Sequence, residues 1–122
     1  MKNRRVLIAG LGNSLLMDDG VGVHAVRALL RDPPDSVEIA EIGTAVLDAL
    51  HLLENADIVI ALDAIQAGRP PGTVLEISEG SLQKPGGLGR SVHEVGLREA
   101  IAMLPQDKQP QLIILGVEPA MI

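Results

Sequence analysis

The sequence predicts an α/β fold in three layers: a mostly parallel five-stranded sheet with helices on both faces and one antiparallel edge strand. Three observations predict it. Short apolar runs containing β-branched residues stand at 5–10, 57–62 and 111–117, the pattern of strands buried on both faces. Segments with apolar residues at helical spacing fall between most strand candidates, as crossovers between parallel neighbours require. The chain has 122 residues, enough for one core and little more, so residues 1–122 are read as a single domain.

The first strand is Arg5-Val6-Leu7-Ile8-Ala9-Gly10, ended by its glycine. After a loop to about Asp19, Val23, Val26, Ala28, Leu29 and Leu30 recur at helical spacing between Gly20 and Leu30, and Asp32-Pro33-Pro34 stops that helix. Val37 to Ile42 forms the second strand, weakly patterned. Thr44 can cap a helix from Ala45 to Leu53. Asp57 to Leu62 is the clearest strand in the chain and delivers Asp63 at its carboxyl end. Thr73 to Ile77 follows too closely for a helical crossover, so it is expected as the antiparallel edge strand. Gly80 to Arg90, rich in glycine and polar residues, reads as a mobile loop; Val95 to Leu104 is helical and Gln111 to Val117 is the fifth strand.

Composition removes several function classes. Hydrophobic residues make up 47% of the chain and charged residues 21%, which separates it from disordered segments. Cysteine is absent, so there is no disulfide framework, thiolate metal cage or cysteine nucleophile, and the composition fits the reducing cytoplasm. Phe, Tyr and Trp are absent too, and the net charge is −6; with no stacking platforms and repulsion from phosphates, nucleic acid is a poor partner. The basic start Lys2-Arg4-Arg5 and the following apolar run resemble a secretory signal, but Gly10, Gly12 and Asn13 break the run and no cleavage site follows. No apolar run approaches the roughly eighteen residues needed to span a bilayer.

The segment Gly10-Leu11-Gly12-Asn13 to Asp18-Asp19-Gly20-Val21-Gly22 opens like a dinucleotide fingerprint but carries Leu15 where the third glycine belongs. Two acids just before a helix would also compete with a pyrophosphate for the positive helix end. In an open α/β sheet, sites form beyond the carboxyl ends of strands near the switch in strand order, where Asp18-Asp19 and Asp63 belong.

These residues resemble the hydrogenase maturation endopeptidases, whose first motif runs Gly-x-Gly-Asn, an acidic pair and Gly-x-Gly. The likeness continues through Asp63-Ala64, Pro71-Gly72-Thr73, Ser91-Val92-His93-Glu94-Val95-Gly96-Leu97 and Leu115-Gly116-Val117-Glu118-Pro119, in collinear order over nearly the whole chain. The resemblance implies that Asp19, Asp63 and His93 are the metal-binding positions and are involved in catalysis. It also implies removal of a C-terminal extension from the nickel-loaded large-subunit precursor of a nickel-iron hydrogenase, the nickel being presented by that substrate. Two carboxylates and an imidazole suit a borderline divalent metal and leave positions for water or substrate. Whether the metal recognises the substrate, polarises the scissile carbonyl or activates water stays open at this level.

Each residue also has a plain structural reading. Asp18 and Asp19 can cap a helix, Asp63 can end a strand, and His93 can sit at a helix start. His24 and His51 fall in predicted helices with no matching acidic motif and are read as surface or packing residues; Met17 and Met103 are read as apolar packing. A serine hydrolase is disfavoured because no Gly-x-Ser-x-Gly elbow exists beside Ser91. A noncatalytic metal-binding or precursor-recognition module is the competing reading. In one respect the chain departs from the family pattern: Met121-Ile122 follows directly on the fifth strand, where the family continues through a further helix. The expectation is a C-terminally truncated domain with an apolar patch near the fifth strand, marginal as a monomer or self-associating.

Overall fold

The computed structural model of the chain describes residues 4–12, 20–77 and 92–120. The strands are β1 (Val6–Leu11), β2 (Val37–Gly43), β3 (Ile58–Ala64), β4 (Val74–Ile77) and β5 (Gln111–Val117). The helices among these residues are α1 (Val21–Arg31), α2 (Leu50–Glu54) and α3 (Val92–Ala102), with 3-10 turns at Leu47–Ala49 and Gln106–Lys108.

The five strands form one sheet in the order β2-β1-β3-β5-β4. β1 pairs in parallel with β2 and β3, and β3 with β5, while β4 runs antiparallel to β5 at the edge. The expected mostly parallel sheet with one antiparallel edge is therefore present. Strand order reverses between β1 and β3, so their carboxyl ends flank the crevice in which such sheets place their sites.

Alternation along the strands divides the two faces. On one face Leu7, Ala9 and Leu11 of β1, Val59 and Ala61 of β3, and Leu112 and Ile114 of β5 are buried in one cluster with Leu53 of α2 and Leu97, Ala100 and Ile101 of α3. Side chains as fully buried as Leu53 and Leu97 contribute about 1.5–3 kcal/mol each. On the opposite face α1 lies over β1, β2 and β3, burying Val23 and Val26. Beyond α1 on that face, Ile113, Leu115 and Val117 of β5 are only partly buried and Val74 of β4 is 64% exposed.

The contact of α1 with the sheet depends on two glycines. A β-carbon on Gly22 would collide with the carbonyl oxygens of Leu62 and Leu11, and one on Gly10 would meet the Gly22 carbonyl oxygen and the Val26 side chain. The helix therefore rests backbone to backbone on β1 and β3 where the two strands approach the crevice. Asp32-Pro33-Pro34 ends α1 as expected, and Arg31 in its last turn complements the helix dipole.

Most boundaries shift by one or a few residues from the sequence reading, and three of the differences bear on the site. The helix expected over 45–53 splits into the 3-10 turn and the five-residue α2, and Thr44 caps neither: Val46 and Ala49 hold those N-cap positions without side-chain caps. A 3-10 turn brings residues three apart onto one line, which lets Val46 and Ala49 both enter the core. β3 runs past Leu62 to Ala64 because β5 continues beside it, pairing Asp63 with Gly116 and Ala64 with Val117. α3 begins at Val92 rather than Val95, which brings His93 into its first turn. The loop expected over 80–90 lies outside the described residues.

Candidate functional site

Asp63 occupies the carboxyl end of β3, one strand position beyond the contact between Leu62 and Gly22 of α1. Its side chain is fully buried, which is costly for a carboxylate without partners. Oδ1 accepts a hydrogen bond from the Ala64 N–H at 2.8 Å, fixing the carboxylate against its own backbone. His93 comes to it from the first turn of α3, on the core side of the sheet: Nδ1 stands 3.4 Å from Asp63 Oδ1, and the imidazole is 18% exposed. The carboxylate of this pair is thus buried and the imidazole opens to solvent.

Of the three predicted ligands, the fold brings Asp63 and His93 together. Asp19 lies outside the described residues, as do Asp18, Asn13 and Met17. The described residues on either side of that segment reach the same edge of the sheet: the Gly12 N–H donates to the Gly43 carbonyl at 3.1 Å, and Gly22 lies against Leu62. Among the described residues, no group of three His, Cys, Asp or Glu side chains could hold a metal ion. His24 and His51 are exposed, which agrees with their reading as bystanders.

The Asp63 and His93 side chains are in direct contact, at a spacing that a shared metal ion would also accept. First-row ions such as zinc hold imidazole nitrogens and carboxylate oxygens at about 2.1 Å, which puts two neighbouring donors about 3–3.5 Å apart. The 3.4 Å between Nδ1 and Oδ1 falls in that interval. A mixed nitrogen and oxygen donor set also suits a borderline divalent ion.

Glu118, just beyond β5, is a site-supporting residue that the sequence reading left without a role. It is 6% exposed, and its Oε1 accepts hydrogen bonds from the N–H groups of Ala67 at 2.8 Å and Arg69 at 2.7 Å. Its backbone is paired as well: its N–H donates to the Thr73 carbonyl and its carbonyl accepts from the Gly72 N–H. The stretch that follows Asp63 is therefore tied to the end of β5 at several points. An acid immediately after an apolar strand was the available signal, but the groups it serves are 49 and 51 residues away.

Beside His93 a cleft of about 710 Å³ runs between Thr44–Asp48 and α3. It is lined by His93 itself and by Met103, which reads in the sequence as apolar packing and is 66% exposed here. Buried Glu94 points elsewhere on the helix, its Oε1 accepting from Arg98 Nε at 3.0 Å one turn along.

Comparison with known proteins agrees with this architecture. The family model described as hydrogenase maturation protease (HycI) matches residues 23–122. The chain is 31% identical over 119 residues to the hydrogenase expression/formation protein HupD of Thiocapsa roseopersicina, covering 93% of this chain and 54% of that protein. It is 33% identical over 120 residues to the hydrogenase 2 maturation protease of Escherichia coli K12, covering 94% of this chain and 73% of the relative. The hydrogenase maturating endopeptidase HybD from E. coli superposes with a TM-score of 0.78 at 32% identity, over 97% of this chain and 76% of the other. A maturation protease HybD from Thermococcus kodakarensis gives a TM-score of 0.80 at 27% identity, over 97% of this chain and 82% of the other. Against the first three curated relatives the chain spans 54%, 64% and 57% of their lengths. By its match across most of its length and by its fold, the chain belongs to the hydrogenase maturation protease family.

Proposed function

We propose that the chain acts as an endopeptidase that removes the C-terminal extension of a nickel-iron hydrogenase large-subunit precursor, using nickel carried by that precursor as the mark of a substrate ready for cleavage. The observation that carries this reading is the convergence of Asp63 and His93, 3.4 Å apart, at the carboxyl end of β3. Family membership supplies the reaction class, and the donor pair supplies a place to engage a metal.

In this reading Asp63 and His93 hold the precursor's nickel, and Asp19 is the third donor. The nickel supplies Lewis acidity to groups bound beside it. Asp63 contributes a carboxylate already held by the Ala64 N–H, so little side-chain freedom is lost on binding. His93, partly exposed at the mouth, presents its imidazole where a second protein can reach it. Few protein donors favour release of the processed subunit. The setting is the cytoplasm, which the cysteine-free composition suits.

The test is cleavage of purified large-subunit precursor, nickel-loaded or rigorously nickel-free, followed by mass spectrometry. Loss of the extension from the loaded form alone is the expected result. Equal processing of the nickel-free precursor by a nickel-free chain would overturn the metal checkpoint, and binding without processing would identify a recognition module instead.

A further inference from the structure

The cleft beside His93 contains a residue that the chain's own packing does not account for. Gly96 sits inside α3, where glycine weakens a helix relative to alanine. Its backbone has no positive φ, and among the described residues a β-carbon placed on it would meet no atom within 4 Å. The contrast with Gly22, which is pressed against the backbone of β3, is complete. Neither its conformation nor its packing among the described residues calls for glycine at position 96. Such a residue is used where something outside the element approaches its backbone closely.

Gly96 lies one helical turn beyond His93 on the same face, and both line the cleft. Leu47 and Met103, both largely exposed, add apolar surface, and Asp48 and Glu99 are the acidic residues lining it. About 710 Å³ is within the range of pockets that hold a small ligand or a short peptide segment. The cleft is continuous with the donor pair through His93, and its fixed charges are acidic. An extended, neutral or basic peptide with an apolar side chain fits this surface; an acidic one would be repelled.

We infer that this cleft receives the precursor's C-terminal segment next to the cleaved bond, an apolar side chain seated against the exposed Leu47 and Met103 and the peptide backbone lying across Gly96. The assignment rests on the endopeptidase reading and adds its substrate subsite. Gly96 is a specificity-determining residue here: it gives up helix stability to keep the helix surface open, and any side chain there occupies the peptide's path.

The experiment compares the full chain with Gly96→Ala and Gly96→Leu, using thermal unfolding, anisotropy with labelled nickel-loaded precursor, and cleavage kinetics. Gly96→Ala is expected to raise the unfolding midpoint while weakening precursor binding about threefold, and Gly96→Leu to weaken it more than tenfold. The loss should appear in KM more than in kcat, with nickel affinity of the free chain unchanged. A purely structural glycine would not give higher stability and poorer binding together. Replacing the apolar residue of the precursor nearest the cleaved bond with glycine should reduce the penalty of Gly96→Leu. Wild-type affinity and KM in a folded Gly96→Ala and Gly96→Leu would overturn the cleft assignment alone. If the wild-type chain binds precursor without cleaving it, the endopeptidase reading falls and the binding comparison still decides the cleft; if it does not bind, both fall.

Discussion

Gly22 of α1 lies directly on the carbonyl oxygen of Leu62, the residue before Asp63 in β3. This contact sets the depth of α1 against the strand that carries the buried carboxylate. Gly22→Ala places a β-carbon into two backbone carbonyls that cannot rotate away. The expected cost is about 1–3 kcal/mol or more in denaturant unfolding. Gly96→Ala, with open space at its β-carbon, is the internal control and should stabilise by roughly 0.5–1 kcal/mol. Equal effects from the two substitutions would contradict the packing described.

Removing a donor should separate metal binding from folding. His93→Gln keeps a polar neighbour beside the buried Asp63 carboxylate, so it should fold while lowering nickel affinity by at least about tenfold, the least that disrupting a metal site's supporting shell usually costs. Asp63→Asn keeps the shape of the buried side chain and an acceptor for the Ala64 N–H. It should fold and show a comparable loss of affinity and of precursor cleavage. Calorimetry with unchanged nickel affinity in either variant would remove that residue from the site.

Glu118 gives a test of how the stretch beyond Asp63 is held. Glu118→Ala leaves the Ala67 and Arg69 N–H groups without their acceptor and should destabilise by about 1–3 kcal/mol. Glu118→Gln retains an oxygen at the same reach and should recover much of that loss. Faster amide hydrogen exchange at Ala67 and Arg69 in the alanine variant, partly reversed in the glutamine variant, is the direct readout. Unaltered exchange at both positions in Glu118→Ala would show that the carboxylate does not hold this stretch.

The pH dependence of the α1–β2 contact follows from one exposed pair. The hydrogen bond from Arg27, followed by the smaller effect of its charge, holds the Glu41 carboxyl below the usual carboxylate range. A carboxyl with a depressed folded-state pKa adds stability above its unfolded-state value and loses it as pH falls through the folded one. The stability gap between the wild-type chain and Glu41→Gln should therefore be largest near neutrality and close on acidification. High salt should narrow it, because both side chains are exposed. A gap that widens toward acid pH would reverse the assignment.

Much of this molecule can be read along the chain, because the signals are local. The apolar runs at β1, β3 and β5 need cover on both sides whatever lies beside them, so an α/β sheet follows from their composition. The short connection into β4 is a length constraint and set its antiparallel direction. Asp63 and His93 carried their signal in the residues around them: an acid after the most apolar strand, and a histidine before a Gly-Leu pair in a matching motif.

Tertiary structure decided the rest, where energies come from partners distant in sequence. Thr44 has a cap residue's chemistry, but burial of Val46 and Ala49 outweighed the cap and produced a 3-10 turn. β3 extends through Asp63 because β5 provides its ladder there, which periodicity in β3 cannot reveal. Glu118 gains its partners across 49 and 51 residues, and Met103 is exposed because the end of α3 borders a cleft. Gly22 and Gly96 are the same letter in two helices; only the position of each helix against its surroundings makes one a backbone contact and the other an opening.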